Sequence, residues 1–230
     1  MTAGRVTRRE RYREETRAEA KRIALGQLAA SGQEGLSLNA IAREMGMSGP
    51  ALYRYFANRD DLLTALIVDA YNDVGATVAD AVAAASRRGP RGRLRALAHA
   101  MRAWALAEPH RYLLLYGTPF AGYRAPEAAT EAARASIGGV MLTMIDIHAE
   151  RPPKRGGRTA LERQLERAPW LPEEMRGRVP GDVLADVLLT WSRIHGLIGL
   201  EINGQFAPMG FDPALLFDRE LDAIVAADER

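Results

Sequence analysis

Cysteine is absent from this 230-residue sequence, and histidine is scarce. Without cysteine the chain cannot form a disulfide scaffold or hold structural zinc with thiolates. The four histidines, His99, His110, His148 and His195, are too far apart for an HExxH-type zinc pair. We therefore expect neither a metal centre nor a bound cofactor.

Long apolar runs are also missing. No uninterrupted stretch approaches the roughly 18 apolar residues of a membrane span. The N-terminus mixes arginines with glutamates and has no apolar segment, unlike a signal peptide. The composition, 47% hydrophobic and 26% charged with a net charge of +2, is that of an ordinary globular chain. We therefore expect a soluble cytoplasmic protein that makes no membrane contact.

Positive charge is concentrated at the start of the chain. Residues 1–60 carry eleven basic and seven acidic side chains, which gives a net charge of +4 in this quarter. All basic residues except Lys21 and Lys154 are arginines. An arginine-rich face suits phosphate binding. The base composition of the genome can also account for an abundance of arginine and alanine. Charge alone does not decide between these two explanations.

The first twelve residues have no apolar periodicity. We expect residues 1–12 to form a flexible basic arm that adds phosphate or minor-groove contacts to bound DNA. A merely solvated tail is the alternative. The arginines concerned are Arg5, Arg8, Arg9 and Arg11.

Helical spacing of apolar residues runs through almost the whole sequence, and no segment shows sustained strand alternation. The sequence therefore predicts an all-α protein. A long connecting helix is expected at about residues 60–86. Prolines and glycines break the pattern between residues 151 and 181, except for a short helical piece from Thr159 to Arg167, and we interpret this segment as a mobile insertion.

A helix-turn-helix pattern follows the first helix. Ser37 can cap a short helix, Gly46 permits the sharp turn that ends it, and Ser48 can cap a second helix over residues 49–56. The second helix then has small residues, two tyrosines and an arginine on its outer surface, where they can approach the major groove and bind phosphates. An αα-hairpin with tyrosines packed at its rim is the alternative.

The same segment carries a set of spaced positions: Gly35, Ser37, Ile41, Ala42, Gly46, Met47, Ser48, Leu52, Tyr53, Phe56, Arg59, Leu62 and Leu63. In these positions it resembles the N-terminal signature of the tetracycline-repressor (TetR) family. The resemblance implies a homodimeric, ligand-responsive DNA-binding regulator, in most cases a repressor. It implies phosphate contacts from Ser48, Tyr53 and Arg59, and base contacts from 49–51 and 55. The candidate DNA-binding residues are Ser37, Asn39, Ser48, Gly49, Pro50, Ala51, Tyr53, Arg54, Tyr55 and Arg59.

Taken together, these features predict two domains. A three-helix helix-turn-helix domain is expected over residues 13–59, and a larger helical ligand-binding and dimerisation domain over residues 60–230. In the second domain the run from Trp191 to Leu197 resembles a C-terminal class of the same family that is named for a Trp-His-Gly signature. That resemblance implies no particular ligand.

Bulky and flexible side chains recur on four consecutive helical segments of the second domain. We expect them to converge on a pocket for a mainly apolar effector, with His195 as its one polar group. Tight core packing is the alternative, in which His195 is a hydrogen-bonded core residue; no nucleophile pattern supports a catalytic base. The candidate pocket residues are Trp104, Tyr112, Tyr116, Phe120, Met141, Met144, Trp191 and His195.

The last two predicted helices, at about 182–204 and 212–227, carry more apolar surface than peripheral helices need. Paired with their two-fold copies they would form a four-helix interface in a homodimer. Leu221 and Ile224 are the side chains that we expect in this interface.

These predictions favour a one-component transcriptional repressor that binds a palindromic DNA operator and is released by a small apolar effector. Two alternatives belong to other classes. A small all-helical enzyme would lack any recognisable nucleophile, metal or phosphate-binding motif. A nonspecific DNA-binding protein would have no use for a large second domain.

Overall fold

The predicted all-α fold is confirmed by the computed structural model, which describes residues 7–149, 158–168, 171 and 173–227. Over these residues the chain forms helices and turns and no β-strand. The α-helices are α1 (Arg8–Ser31), α2 (Leu38–Glu44), α3 (Gly49–Leu52), α4 (Arg59–Ala84), α5 (Gly89–Ala107), α6 (Pro109–Tyr116), α7 (Glu127–Ala149), α8 (Ala160–Leu165), α9 (Gly181–Ile202) and α10 (Pro213–Ala227).

The helices group into two compact units. The first unit contains the described residues up to Asn72 together with Glu108–Ala133, and the second contains Asp73–Ala107 and the described residues from Arg134 onward. This division differs from the predicted boundary after residue 59. The reason is that α6 and the loop after it pack their apolar residues against the core of the N-terminal helices. Helix α4, the predicted connecting helix, contributes its first half to one unit and its second half to the other.

The core of the first unit holds the helix-turn-helix together. One face of α1 buries Ala20, Ile23 and Ala24, and Ile41 of α2 is fully buried in the same cluster. Leu63 of α4 completes the contact. The three helices thus surround one apolar centre, and this centre fixes the orientation of α2 and of the segment that follows it.

Helix α1 begins earlier than the sequence suggested. The backbone N–H of Glu10 donates to Thr7 Oγ1 over 3.2 Å, and the N–H of Thr7 donates to the Glu10 carboxylate over 2.7 Å. These bonds form a capping box and lower the pKa of Glu10. The predicted flexible arm is therefore wrong for Arg8, Arg9 and Arg11, which lie in a capped helix. Arg5 lies outside the described residues.

The predicted mobile insertion over residues 151–181 is wrong for the part that the structure describes. Helix α8 begins with a second capping box, formed by Thr159. Leu165, Leu171 and Val179 are all buried, and α8 packs against α9. The three buried apolar side chains stabilise this segment against the core. The prolines and glycines of the sequence gave no indication of this burial. Residues 151–157, 169, 170 and 172 of the predicted insertion lie outside the described residues.

Two helices, α4 and α9, are long and apolar enough to cross a membrane by length and composition. Both carry carboxylates that bind other helices of their own unit. Asp73 of α4 accepts a hydrogen bond from the Trp104 indole over 2.8 Å, and Glu201 of α9 binds Arg102 through two bonds. Such contacts are typical of core helices in a folded domain.

The turn after α2 is a Schellman motif. The N–H of Met47 donates to the carbonyl of Ala42 over 2.8 Å, and the N–H of Gly46 donates to that of Arg43 over 3.1 Å. In this motif the residue that follows the last helical turn adopts the left-handed conformation. That residue is Gly46, which has φ of 65°. The predicted role of Gly46 thus follows from backbone geometry, because an L side chain would be strained there.

We predict that Gly46→Ala lowers the free energy of unfolding by about 1 kcal/mol, because alanine must adopt the left-handed conformation. Gly26→Ala is the matched control. Gly26 lies within α1 with nothing near its added Cβ, so alanine there should stabilise the chain by about 0.5 kcal/mol. Urea unfolding followed by circular dichroism measures both. Equal effects of the two changes would contradict the assignment of the turn.

Candidate nucleic-acid interface

Helix α2 presents one face to the core and the opposite face to solvent. Ser37 caps it as predicted, since its hydroxyl accepts a hydrogen bond from the N–H of Ala40 over 3.3 Å. Leu38 and Ile41 are buried, whereas Asn39 is exposed. Asn39 therefore lies on the outer side of the motif, as a contact to another molecule requires.

Gly49 of α3 lies close to the Asn39 side chain of α2. A Cβ added to Gly49 would lie 3.0 Å from Oδ1 of Asn39. A larger residue would therefore push the Asn39 side chain away. The two predicted DNA-binding residues are adjacent in space, although ten positions separate them in the sequence.

Ser48 begins α3, but not in the way predicted. Its side chain makes no capping hydrogen bond, and its backbone carbonyl accepts the N–H of Ala51 over 2.9 Å. Pro50 lies in the first turn, where a missing N–H costs nothing. The Ser48 hydroxyl is exposed and is not committed to capping, which leaves it available for a phosphate contact.

The second helix is shorter than predicted. Helix α3 ends at Leu52, and the chain continues in turns in which the N–H groups of Tyr55 and Phe56 donate to the Leu52 carbonyl over 2.8 and 3.2 Å. Leu52 and Phe56 are both fully buried. Burial of these two side chains leaves the segment between them on the surface.

The residues between these two anchors differ in exposure. Tyr53 is 45% exposed and Arg54 is exposed as well, as predicted for phosphate-binding side chains. Tyr55, predicted to face bases, is half-buried and packs against the core of the first unit. Part of the Tyr55 side chain is therefore used for packing, and its predicted contact with bases stays a prediction.

The start of α4 completes the candidate interface. The Asn58 side chain accepts the N–H of Asp61 over 2.8 Å, and the Asp61 carboxylate accepts the N–H of Ala57 over 2.9 Å. These two bonds fix Arg59 as the first residue of the helix. Arg59 therefore follows the exposed segment at a defined helix end, as its predicted role demands.

Arg17 of α1 is a residue of this region that sequence reasoning missed. Its guanidinium donates a hydrogen bond to the backbone carbonyl of Tyr55 and lies over the Phe56 ring, 4.3 Å from the ring centroid. The contact joins positions 38 residues apart in the chain. No local pattern distinguishes Arg17 from the other arginines of α1, such as Arg13 and Arg22.

Five of the eight predicted pocket residues belong to the second unit. Trp104, Met141 and Met144 are buried there. The rings of Trp191 and His195 are in contact in a tilted arrangement, with centroids 3.9 Å apart and 45° between their planes. Burial of the imidazole lowers the pKa of His195 to about 4, so the ring is neutral at pH 7.

The other three predicted pocket residues belong to the first unit. The rings of Tyr112 and Tyr116 are 5.1 Å apart, and burial raises the pKa of Tyr112 to about 12. Phe120 packs against the core of the N-terminal helices. The eight predicted pocket residues are thus divided between the two units, and the predicted pocket stays a prediction.

The predicted interface side chains Leu221 and Ile224 are also placed differently. They are 1% and 4% exposed within a single chain, so they belong to the core of the second unit and not to its surface. The apolar pattern of α10 could not distinguish these two environments.

We predict that Arg17→Ala lowers the free energy of unfolding by about 2 kcal/mol, because it removes a charged hydrogen bond and a cation–π contact. Arg22→Ala is the matched control, since Arg22 lies on the same helix and is exposed. Its effect should stay within about 0.5 kcal/mol. If urea unfolding gave the same value for both variants, Arg17 would have no anchoring role.

The chain matches two parts of one known family. Residues 23–66 match "Bacterial regulatory proteins, tetR family", and residues 94–224 match "Tetracyclin repressor-like, C-terminal domain". An HTH-type transcriptional regulator of Mycobacterium tuberculosis is 35% identical over 229 residues, which cover 96% of each chain. A crystal structure described as that of a regulatory protein, SCO4313, is 44% identical with a TM-score of 0.80, and the match covers 96% of this chain and 100% of the other.

A more distant structure has the same fold. The TetR family transcriptional regulator PfmR from Thermus thermophilus superposes with a TM-score of 0.59 at 14% identity, over 92% of this chain and 97% of that one. The family matches and the relatives agree with the exposed helix-turn-helix described above. This chain belongs to the TetR family of transcriptional regulators, which bind DNA and are not enzymes.

Proposed function

We propose that this protein is a cytoplasmic repressor that binds a palindromic operator as a homodimer and leaves it when a small, mainly apolar effector binds. The observation that carries the DNA-binding part is the segment between Leu52 and Phe56. Its two ends are buried, and Tyr53 and Arg54 between them are exposed. Recognition of a duplex requires exposed hydrogen-bond donors at fixed positions, and the buried ends of this segment fix its backbone.

A homodimer is supported by the outer face of α9. Leu189 and Leu200 are 52% and 46% exposed, and Gly196 between them is exposed as well. The spacings of seven and four residues place these three on one side of the helix, opposite its buried side chains. Leu215 of α10 is 68% exposed. Apolar side chains of this kind suit contact with the same helices of a second copy.

A palindromic operator follows from such a dimer. A two-fold axis relates the two reading segments, so the preferred DNA sequence has the same symmetry. Selection of bound fragments from random DNA, followed by sequencing and footprinting, tests this step. Enrichment of an inverted repeat with sharp footprint boundaries is expected, whereas uniform coverage would support the nonspecific alternative.

The contact between Trp191 and His195 suggests the chemistry of the effector. A neutral imidazole offers one hydrogen-bond donor and one acceptor but no positive charge. Met141 and Met144 in the same unit are adaptable apolar side chains. We therefore propose an uncharged, mainly apolar effector with one hydrogen-bonding group. The effector can change operator affinity only by as much as its own affinity differs between the DNA-binding conformation of the dimer and the released one.

For DNA binding, we predict that Tyr53→Phe weakens binding to all duplex sequences by about 1 kcal/mol, the net value of one hydrogen bond. Arg59→Ala should also reduce the slope of log K against log salt by about one per half-site. Arg219→Ala is the control, because Arg219 is an exposed arginine of α10 in the second unit. Anisotropy titrations at several salt concentrations give both quantities. An unchanged slope for Arg59→Ala would contradict the phosphate contact.

For assembly, we predict that the double variant Leu189→Glu/Leu215→Glu sediments as a folded monomer at micromolar concentration, while the unaltered chain sediments as a dimer. The variant should not dimerise, because the dimer would bury carboxylates in an apolar interface. Leu161→Glu, on the 54% exposed Leu161 of α8, is the matched control and should remain dimeric. Leu221→Glu should unfold the chain instead, since Leu221 is buried. A monomeric unaltered chain would overturn the proposal.

For the effector, we predict that Trp191→Leu and His195→Phe each raise the concentration needed for operator release about tenfold, equivalent to about 1.4 kcal/mol. The compound is one found by screening apolar molecules for operator release. Leu142→Ala is the control, because Leu142 of α7 is 59% exposed. If both variants fold, bind the operator and respond like the unaltered chain, the effector binds elsewhere.

A further inference from the structure

The first two turns of α1 extend beyond the core of the first unit. Residues 7–15 are all exposed, and the first buried residue of the helix is Thr16. At 1.5 Å per residue, the part between Arg9 and Thr16 is about 10 Å long. The capping box at Thr7 holds this extension in helical form without any packing partner.

The extension continues the buried face of the helix. Thr16, Ala20 and Ile23 face the core, and the same side is occupied further toward the N-terminus by Arg9, Tyr12 and Arg13. Spacings of three and four residues place these side chains in line. The exposed side chains of the extension therefore point in the direction in which the later turns meet the core.

This face is cationic and uncovered. Tyr12 is 65% exposed, and Arg9 and Arg13 have no hydrogen-bond or ion-pair partner within the described part of the chain. The three glutamates of the extension, Glu10, Glu14 and Glu15, lie at other positions around the helix. An anionic partner would therefore meet two guanidinium groups and a phenol without an intervening carboxylate.

The position of Arg17 connects this face to the DNA-binding segment. Arg17 lies one turn after Arg13 and donates to the carbonyl of Tyr55, at the end of the exposed segment. The extension, residues 7–15, lies on the N-terminal side of this contact. It also lies outside the residues 23–66 that match the N-terminal family profile.

We propose that Arg9, Tyr12 and Arg13 bind the phosphate backbone of duplex DNA that flanks the half-site read by residues 48–55. This inference rests on the proposed function and adds a second contact region to it. The binding is independent of base sequence, because guanidinium groups and a phenol on a rigid helix recognise phosphate charge and position. The operator fragment bound by the protein is therefore longer than the sequence that it reads.

The test uses the full-length protein and two duplexes carrying the selected operator. One is trimmed to the palindrome, and the other extends it by about six base pairs on each side, which is about 20 Å of duplex. Arg9→Ala/Arg13→Ala is compared with Arg11→Ala/Arg22→Ala. The control pair removes the same charge from exposed positions on the opposite side of α1. Circular dichroism verifies that all variants keep their helix content.

On the extended duplex, Arg9→Ala/Arg13→Ala should weaken binding about tenfold at 0.1 M salt and reduce the log–log salt slope by about two per half-site. On the trimmed duplex it should match the control pair. Arg9→Lys/Arg13→Lys should retain the salt slope, since the charge is kept.

Equal behaviour of the two alanine pairs on the extended duplex would overturn the inference, as would an equal loss on both duplexes. In either case the unaltered protein still binds its operator, so the proposed function stands. An unaltered protein that selects no specific sequence would contradict the proposed function itself.

Discussion

The candidate DNA-binding surface depends on the burial of two side chains, Leu52 and Phe56. Helix α3 has four residues, which is too short to be stable by its own hydrogen bonds. Its position is therefore set by the burial of Leu52, its last residue, by the burial of Phe56 four residues later, and by Arg17, which donates to the Tyr55 carbonyl and lies over the Phe56 ring. These contacts support the backbone on which the exposed Tyr53 lies.

Local signals in the sequence predicted this region well. Gly46 is needed for a left-handed turn, and Ser37 caps the helix before it, so both positions follow from backbone chemistry within a few residues. The contact between Arg17 and Tyr55 could not be predicted, because it joins residues that only the tertiary fold brings together. The half-burial of Tyr55 was missed for the same reason, since helical periodicity does not apply to the turns after Leu52.

The two segments predicted to be mobile were misjudged for a common reason. Each lacks an apolar repeat near its start, yet each contains a helix start at which a threonine pairs with a glutamate three residues later, at Thr7 and at Thr159. Such capping boxes satisfy backbone donors that a short helix otherwise leaves unpaired. The signal at Thr159 agrees with the predicted helical piece from Thr159 to Arg167, and the same signal at Thr7 indicates that α1 begins at Arg8.

The apolar surplus of the last two long helices explains why the sequence pattern points to the buried Leu221 and Ile224 as interface residues. A helix that packs on its own core and also on a second chain is apolar on two sides, so its sequence shows an excess of apolar residues without indicating which side is which. In α9 Ile194 and Ile198 face the core, while Leu189 and Leu200 face outward. Gly196, on the outward side with open space around its Cβ position, allows another helix to approach closely. Thus the outward leucines, and not the buried Leu221, are the side chains whose solvent exposure a second copy would relieve.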